Sequence, residues 1–213
     1  MPGRPRTVLA LALAWWCAGI AAVGAGGAWV CATATCGPVP ADRAILEALH
    51  AMRHPSIDAM FGAVTWLGSV AVLAPLSAIA GWHYARHGRP RAALFAVGSL
   101  IGVFATVHLG KLLVERPRPA LFEAAGLMPV DASFPSAHSA QIAAFAIAIA
   151  LMLRTRRAWT LAAIVIGTVA FSRVYLQVHF PTDVAAGLLL GACWTFGLHA
   201  LLFPENPARK EMT

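Results

Sequence analysis

The chain has 213 residues, 59% of them hydrophobic and 12% charged, with a mean hydropathy of +0.71. A water-soluble domain needs more charge than this to cover its surface and a disordered chain needs fewer apolar residues, so both are excluded in favour of a polytopic membrane protein. The net charge of +7 does not indicate nucleic acid, because the 16 Lys and Arg residues lie in short groups between apolar runs rather than on one basic face.

The first apolar run spans about residues 8–30 and follows Arg4 and Arg6. It is longer than the roughly 7 to 15 residues of a signal-peptide core, so a retained span is favoured over a cleaved leader. Next, Asp42 is placed to cap a short helix in which Ile45, Leu49 and Met52 recur at i, i+4 and i+7 beside Arg43, Glu47 and Arg53. That pattern predicts an interfacial helix, against the competing reading of a small water-facing one. Five more apolar runs follow at about 57–82, 92–114, 136–153, 158–173 and 181–203. The predicted fold class is therefore all-α: an integral-membrane six-helix bundle forming a single membrane domain over 1–213, with one interfacial helix between spans one and two.

Placing the amino terminus inside puts ten basic residues inside, namely Arg4, Arg6, Arg86, Arg89, Arg91, Arg154, Arg156, Arg157, Arg209 and Lys210. Six fall outside: Arg43, Arg53, Lys111, Arg116, Arg118 and Arg173. The bias predicts both termini in the cytoplasm. Cys17 and Cys193 lie within apolar runs and read as small hydrophobic residues. Cys31 and Cys36 share an outer segment, where a disulfide is open to them if the compartment is oxidising.

Three separated segments on that outer face collect the chemistry: Lys111 to Pro119, Phe134 to Ser139, and Ser172 to Asp183. Lys111, Arg118 and Arg173 supply fixed cations for the nonbridging oxygens of a phosphoryl group, and the first helical turn at Ser136 and Ala137 can donate to the same anion. His179 is placed as nucleophile, with Asp183 accepting its other ring proton. His138 is placed to protonate the leaving oxygen and then activate water. No pair of the scattered outer carboxylates forms an obvious two-metal clamp, so the expected reaction uses no metal and no cofactor and proceeds through phosphohistidine. His108, one turn before Lys111, either lines the pocket or bonds between helices. His83 and His87 read as a solvated pair at the other face.

These segments resemble the three motifs of the type 2 phosphatidic acid phosphatase family. Lys, six residues, Arg-Pro is met by Lys111, Arg118 and Pro119; Arg116 repeats the Arg-Pro pattern, and spacing alone selects Arg118. Pro-Ser-Gly-His is met by Pro135, Ser136 and His138, with Ala137 in the glycine place. Ser-Arg, five residues, His, three residues, Asp is met by Ser172, Arg173, His179 and Asp183. The resemblance implies a six-helix bundle with an outward active site and a membrane lipid phosphate as substrate: undecaprenyl pyrophosphate, phosphatidylglycerophosphate or phosphatidic acid. The small, alanine-rich chain suits a bacterial inner membrane, with the bilayer as its surroundings and no nucleic-acid partner; its oligomeric state stays open. Phosphotransfer from lipid to an acceptor other than water would use the same histidines. A non-catalytic lipid transporter is disfavoured, because the nine carboxylates fall in loops or at span ends and offer no mid-membrane relay.

Overall fold

Inside a bilayer no water is present to satisfy backbone N–H and C=O groups, so an apolar chain must satisfy them within its own segments, and helices do this. The computed structural model describes residues 4–32, 36–125 and 128–204, and among these it is helical without a strand. The helices are α1 (Arg4–Val30), α2 (Pro40–Ala51), α3 (Pro55–Val64), α4 (Val70–Arg86), α5 (Pro90–Val114), α6 (Ala137–Leu153), α7 (Arg156–Tyr175) and α8 (Pro181–Leu202). Five helical segments are long and apolar enough to cross a membrane: Thr7–Val30, Pro55–Arg86, Pro90–Val114, Arg156–Tyr175 and Pro181–Leu202. The remaining apolar helix, α6, has 17 residues. Arg209 and Lys210, part of the inside charge count, lie outside the described residues.

The run at 57–82 is not one continuous helix. It is divided into α3, a 3-10 turn at Thr65–Gly68, and α4, because Ser69 takes an extended conformation and its side chain accepts the Ala71 N–H at 3.2 Å to start α4 afresh. Asp42 is not the cap of α2 either. Val39 holds that position and Pro40 opens the helix, while the Asp42 carboxylate is wholly buried and engaged elsewhere. Leu46 of α2 is buried with Ala170, Val174, Phe180 and Val184, whereas Ile45 and Met52 stay exposed.

Helix α8 is the centre of the packing, lying along α1 and α6, while α5 packs on α4, α6 and α8. Without a strong hydrophobic drive between helices in lipid, close packing must come from small residues that let backbones approach. A side chain at Gly187 would collide with the Ser136 carbonyl and one at Gly191 with the Ala140 carbonyl, so these two glycines let α8 lie directly on α6. That approach aligns the first turns of the two helices, and the Ser136 N–H donates to Asp183 O at 3.0 Å. The same end of the bundle gathers segments 115–125, 128–136, 176–180 and 36–39, with Cys31 and Cys36 joined by a disulfide.

Candidate active site

Lys111 sits in the last turn of α5, which ends at Glu115 in the left-handed region (φ 48°) and so turns the chain back over the bundle. Its ammonium is buried, donates to Ala132 O, and lies 3.1 Å from Asp131 Oδ2. Arg118, on the returning segment, donates from Nη2 to Asp131 Oδ1 at 2.6 Å and from Nη1 to Val178 O at 2.7 Å. Burial pushes the Asp131 carboxyl up, yet hydrogen bonds from Arg118 and Lys111 and their charges outweigh this and hold it down to about 2. Asp131 thus stands as the anion between two of the expected phosphate-binding cations. The third, Arg173 at the end of α7, donates from Nη1 to Thr65 Oγ1 at 2.6 Å, while its buried Nε has no hydrogen-bond partner among the described residues. An unmatched buried donor on a guanidinium is a place for an anionic oxygen.

The arrangement around His179 fixes its tautomer. Arg118 Nη1 lies 3.1 Å from His179 Nε2, and a guanidinium only donates, so Nε2 must carry a lone pair and Nδ1 the proton. On the Nδ1 side, Ser133 Oγ is 3.3 Å away and Asp183 Oδ2 3.4 Å away. Ser133 donates its hydroxyl to Asp183 Oδ2, so the consistent pattern runs from Nδ1–H to Ser133 and from Ser133 to Asp183. Asp183, expected to take the ring proton directly, shares that task with Ser133. Burial, followed by the charges of Arg118, Arg173 and Lys111, pushes the His179 imidazole well below its usual value, so it is neutral and Nε2 carries no proton near neutral pH. Pro181 opens α8, which leaves His179 just ahead of the helix and lets Asp183 reach back to accept the Phe180 N–H at 2.9 Å.

The start of α6 sets the first-turn donors, with Pro135 as a residue that would suit a first helical position. The helix begins at Ala137 with Ser136 as its N-cap, so Pro135 precedes the helix instead of occupying its first position. Ala137 is helical, and among the described residues the left-handed region holds other non-glycine positions, so alanine fits the glycine place without strain. The Ser136 hydroxyl accepts from Ser139 Oγ at 3.0 Å and its N–H is spent on Asp183 O, which leaves the amides of Ala137 and His138 as the first-turn donors. His138 lines a cavity of about 350 Å³ with Arg173, Thr65, Trp66, Ser69 and Leu176. His108 is exposed and bonds Phe104 O of its own helix at 2.8 Å, so it does not line this site. His83 and His87 stack on each other, exposed, in the last turn of α4.

The structure therefore brings Lys111, Arg118, His179 and Asp183 into one connected network, with His138 and Arg173 on the cavity beside it. Five participants were not expected in the site: Ser133, Asp131, Thr65 and the buried pair Arg116 and Asp42. Arg116 carried a signal, the doubled Arg-Pro; loop residues Ser133 and Asp131 carried none beyond their nearness to Pro135.

The chain was compared with known proteins. It is 33% identical to the lipid A 1-phosphatase of Rhizobium etli over 161 residues, covering 67% of each protein. It is 33% identical to phosphatidylglycerophosphatase B of Bacillus subtilis over 165 residues, covering 71% of this chain and 78% of the relative. Its fold is similar to the crystal structure of a transmembrane PAP2 type phosphatidylglycerolphosphate phosphatase from Bacillus subtilis, with a TM-score of 0.71 at 22% identity over 99% of this chain and 98% of the other. The family profile described as PAP2 superfamily matches residues 91–207, which include every motif residue of the site, and the chain belongs to that superfamily.

Proposed function

We propose that this PAP2-superfamily hydrolase removes phosphate from a phosphomonoester or pyrophosphate of a membrane lipid, through a phosphohistidine at His179 and without a metal. The observation that carries the reading is the His179 tautomer: Nε2 points its lone pair at Arg118, and Nδ1–H is held by Ser133 and Asp183. A phosphoryl group that displaces Asp131 from Lys111 and Arg118 and takes the open donor of Arg173 comes within reach of that lone pair. Nε2 attacks phosphorus; the P–O bond to the lipid breaks, and the departing oxygen takes the proton that His138 acquires as the phosphate anion binds beside it. Water then attacks the phosphohistidine, gives a proton to His138, and the P–N electron pair returns to Nε2. The outer carboxylates that a metal would need are committed, Asp131 to two cations and Asp183 to Arg116, and the three cations supply the charge neutralisation a metal would bring.

Two cavities support a lipid substrate. Behind the cavity at His138 and Arg173, α4, α6 and α7 form an apolar groove of about 280 Å³. On α6 it is lined by Ile142, Phe145, Ala146, Ile149 and Leu153, the helical stripe that starts one turn after His138. A phosphate head at the site would leave its hydrocarbon tail along this stripe. We further read the bundle as six crossings of a bacterial inner membrane, counting α6 at about 26 Å against roughly 30 Å of hydrocarbon, with both termini cytoplasmic and the site outside. The Cys31–Cys36 disulfide beside the site supports an oxidising outer compartment. The test is phosphate release by purified, chelator-treated protein from a panel of lipid phosphates and pyrophosphates. Release from at least one is expected; release from none overturns the reading.

A further inference from the structure

Arg116 is the bulkiest of the side chains wholly withdrawn from solvent among the described residues, and every N–H of its guanidinium has a taker. Nε donates to Cys36 O at 3.3 Å. Nη1 donates to Thr182 Oγ1 at 2.7 Å and Asp183 Oδ1 at 2.6 Å. Nη2 donates to Gly37 O at 3.0 Å and Asp42 Oδ2 at 2.8 Å. The guanidinium carbon lies 4.0 Å from the centroid of the Phe180 ring, so the group is held in plane as well as in direction. Asp42 in turn accepts the Thr182 N–H at 3.0 Å and the Thr182 hydroxyl at 2.8 Å, which ties α2 to the first turn of α8.

We propose that Arg116 and Asp42 are positioning residues for the reaction: Arg116 holds the Asp183 carboxylate in one orientation, and Asp42 holds Arg116. This rests on the reading of His179 as nucleophile with Asp183 behind it. A buried ion pair is a weak device for stability alone, since removing both charges from water offsets most of their attraction, and an apolar group of similar shape would serve a fold as well. What the apolar group could not do is place a positive charge on Asp183 Oδ1 while leaving Oδ2 facing Ser133, the Phe180 N–H and His179. Asp42 lies outside residues 91–207, so the device recruits a part of the chain that precedes the family match. The Cys31–Cys36 disulfide lies at the start of the segment whose carbonyls, those of Cys36 and Gly37, complete the cage around Arg116.

Neither residue touches the phosphate, so their loss should lower kcat and spare KM. Arg116→Gln is expected to lower kcat about 100-fold with KM changed less than about 3-fold, and Asp42→Asn about 10-fold. Arg116→Lys keeps the charge and should restore part of the rate lost in Arg116→Gln. In an Asp183→Asn background, Arg116→Gln should cost little more, because the two act as one unit. An independent readout is the nitrogen NMR spectrum of histidine-labelled protein in detergent, with the His179 signals identified by His179→Gln. Wild type should show His179 protonated at Nδ1, and Arg116→Gln and Asp42→Asn should both raise the Nε2–H tautomer. If Arg116→Gln costs the same factor in both backgrounds, raises KM at unchanged kcat, or leaves the His179 tautomer as in wild type, the proposal is overturned. Failure of wild type to release phosphate from any lipid would count against the functional reading alone, since the NMR measurement needs no turnover.

Discussion

In the proposed reaction His179 becomes a nucleophile through what surrounds each of its two nitrogens. Arg118 cannot accept a proton, so Nε2 is left with its lone pair; Ser133 and Asp183 hold the proton at Nδ1. His179→Ala should therefore lower turnover by about 10⁴-fold or more, Asp183→Asn by about 10³-fold, and Ser133→Ala by about 10-fold, read as kcat with a lipid phosphate. On the same proposal Asp131, paired with Lys111 and Arg118, plays the opposite part and competes with phosphate for them. Its side chain is 47% exposed, so the pairing is worth an exposed pair's share of about 0.5 to 1 kcal/mol, and Asp131→Asn should lower KM about 2- to 5-fold. The sign with pH follows from its depressed value: the carboxylate is charged above 3.8, and its competition is lost only as pH falls from there through about 2. Titrating KM against pH in wild type and Asp131→Asn checks both. The motif residues were legible because their chemistry and spacing are local to each segment. Ser133, Asp131 and Arg116 were not, because their meaning depends on partners far along the chain, with Arg116 and Asp42 separated by 74 residues.

Helices carry the next level of the account. Spans were legible from hydropathy, since about 20 apolar residues fold one way in lipid. The break at Thr65–Gly68 was hidden because the residues on both sides are equally apolar, and the only trace was the Gly68-Ser69 pair ahead of α4. Its consequence is local: the turn places Thr65 on Arg173 and lets Gly68 approach the His138 backbone, where an added side chain would crowd Val169 and His138. Asp42 misled because it suits a helix cap, while tertiary contact with Arg116 and Thr182 claims it instead. On α6, the stripe from His138 through Ile142 and Ala146 to Leu153 runs from the proposed head-group site along the apolar groove. Filling that groove with Ala146→Phe should raise KM for a long-chain lipid phosphate about 10-fold and leave a short-chain, water-soluble phosphate within about 2-fold. Equal effects on both substrates would remove the groove from the substrate path.

The whole molecule sets which compartment the site faces. We read the site as outward-facing, a reading supported by the charge count, the disulfide at Cys31 and Cys36 and the clustering of the 36–39, 115–125, 128–136 and 176–180 segments at one end. Reporter fusions at residue 122 and at residue 155 should report outside and inside respectively; the reverse pattern would invert the topology. The all-helical membrane fold was legible because long apolar runs in a bilayer leave few ways to pack, and the motifs had to meet for any of them to matter. What the sequence left unstated is how α2, which precedes the family match, joins the site through Asp42. The central claim, that His179 takes the phosphoryl group without a metal, is tested most directly by trapping. Purified, chelator-treated protein is mixed with a lipid labelled in its terminal phosphate, quenched in alkali, digested, and read by mass spectrometry. The expected result is a phosphoryl group on His179 that is absent from His179→Ala. Label on another residue, or turnover that only added magnesium restores, would contradict it.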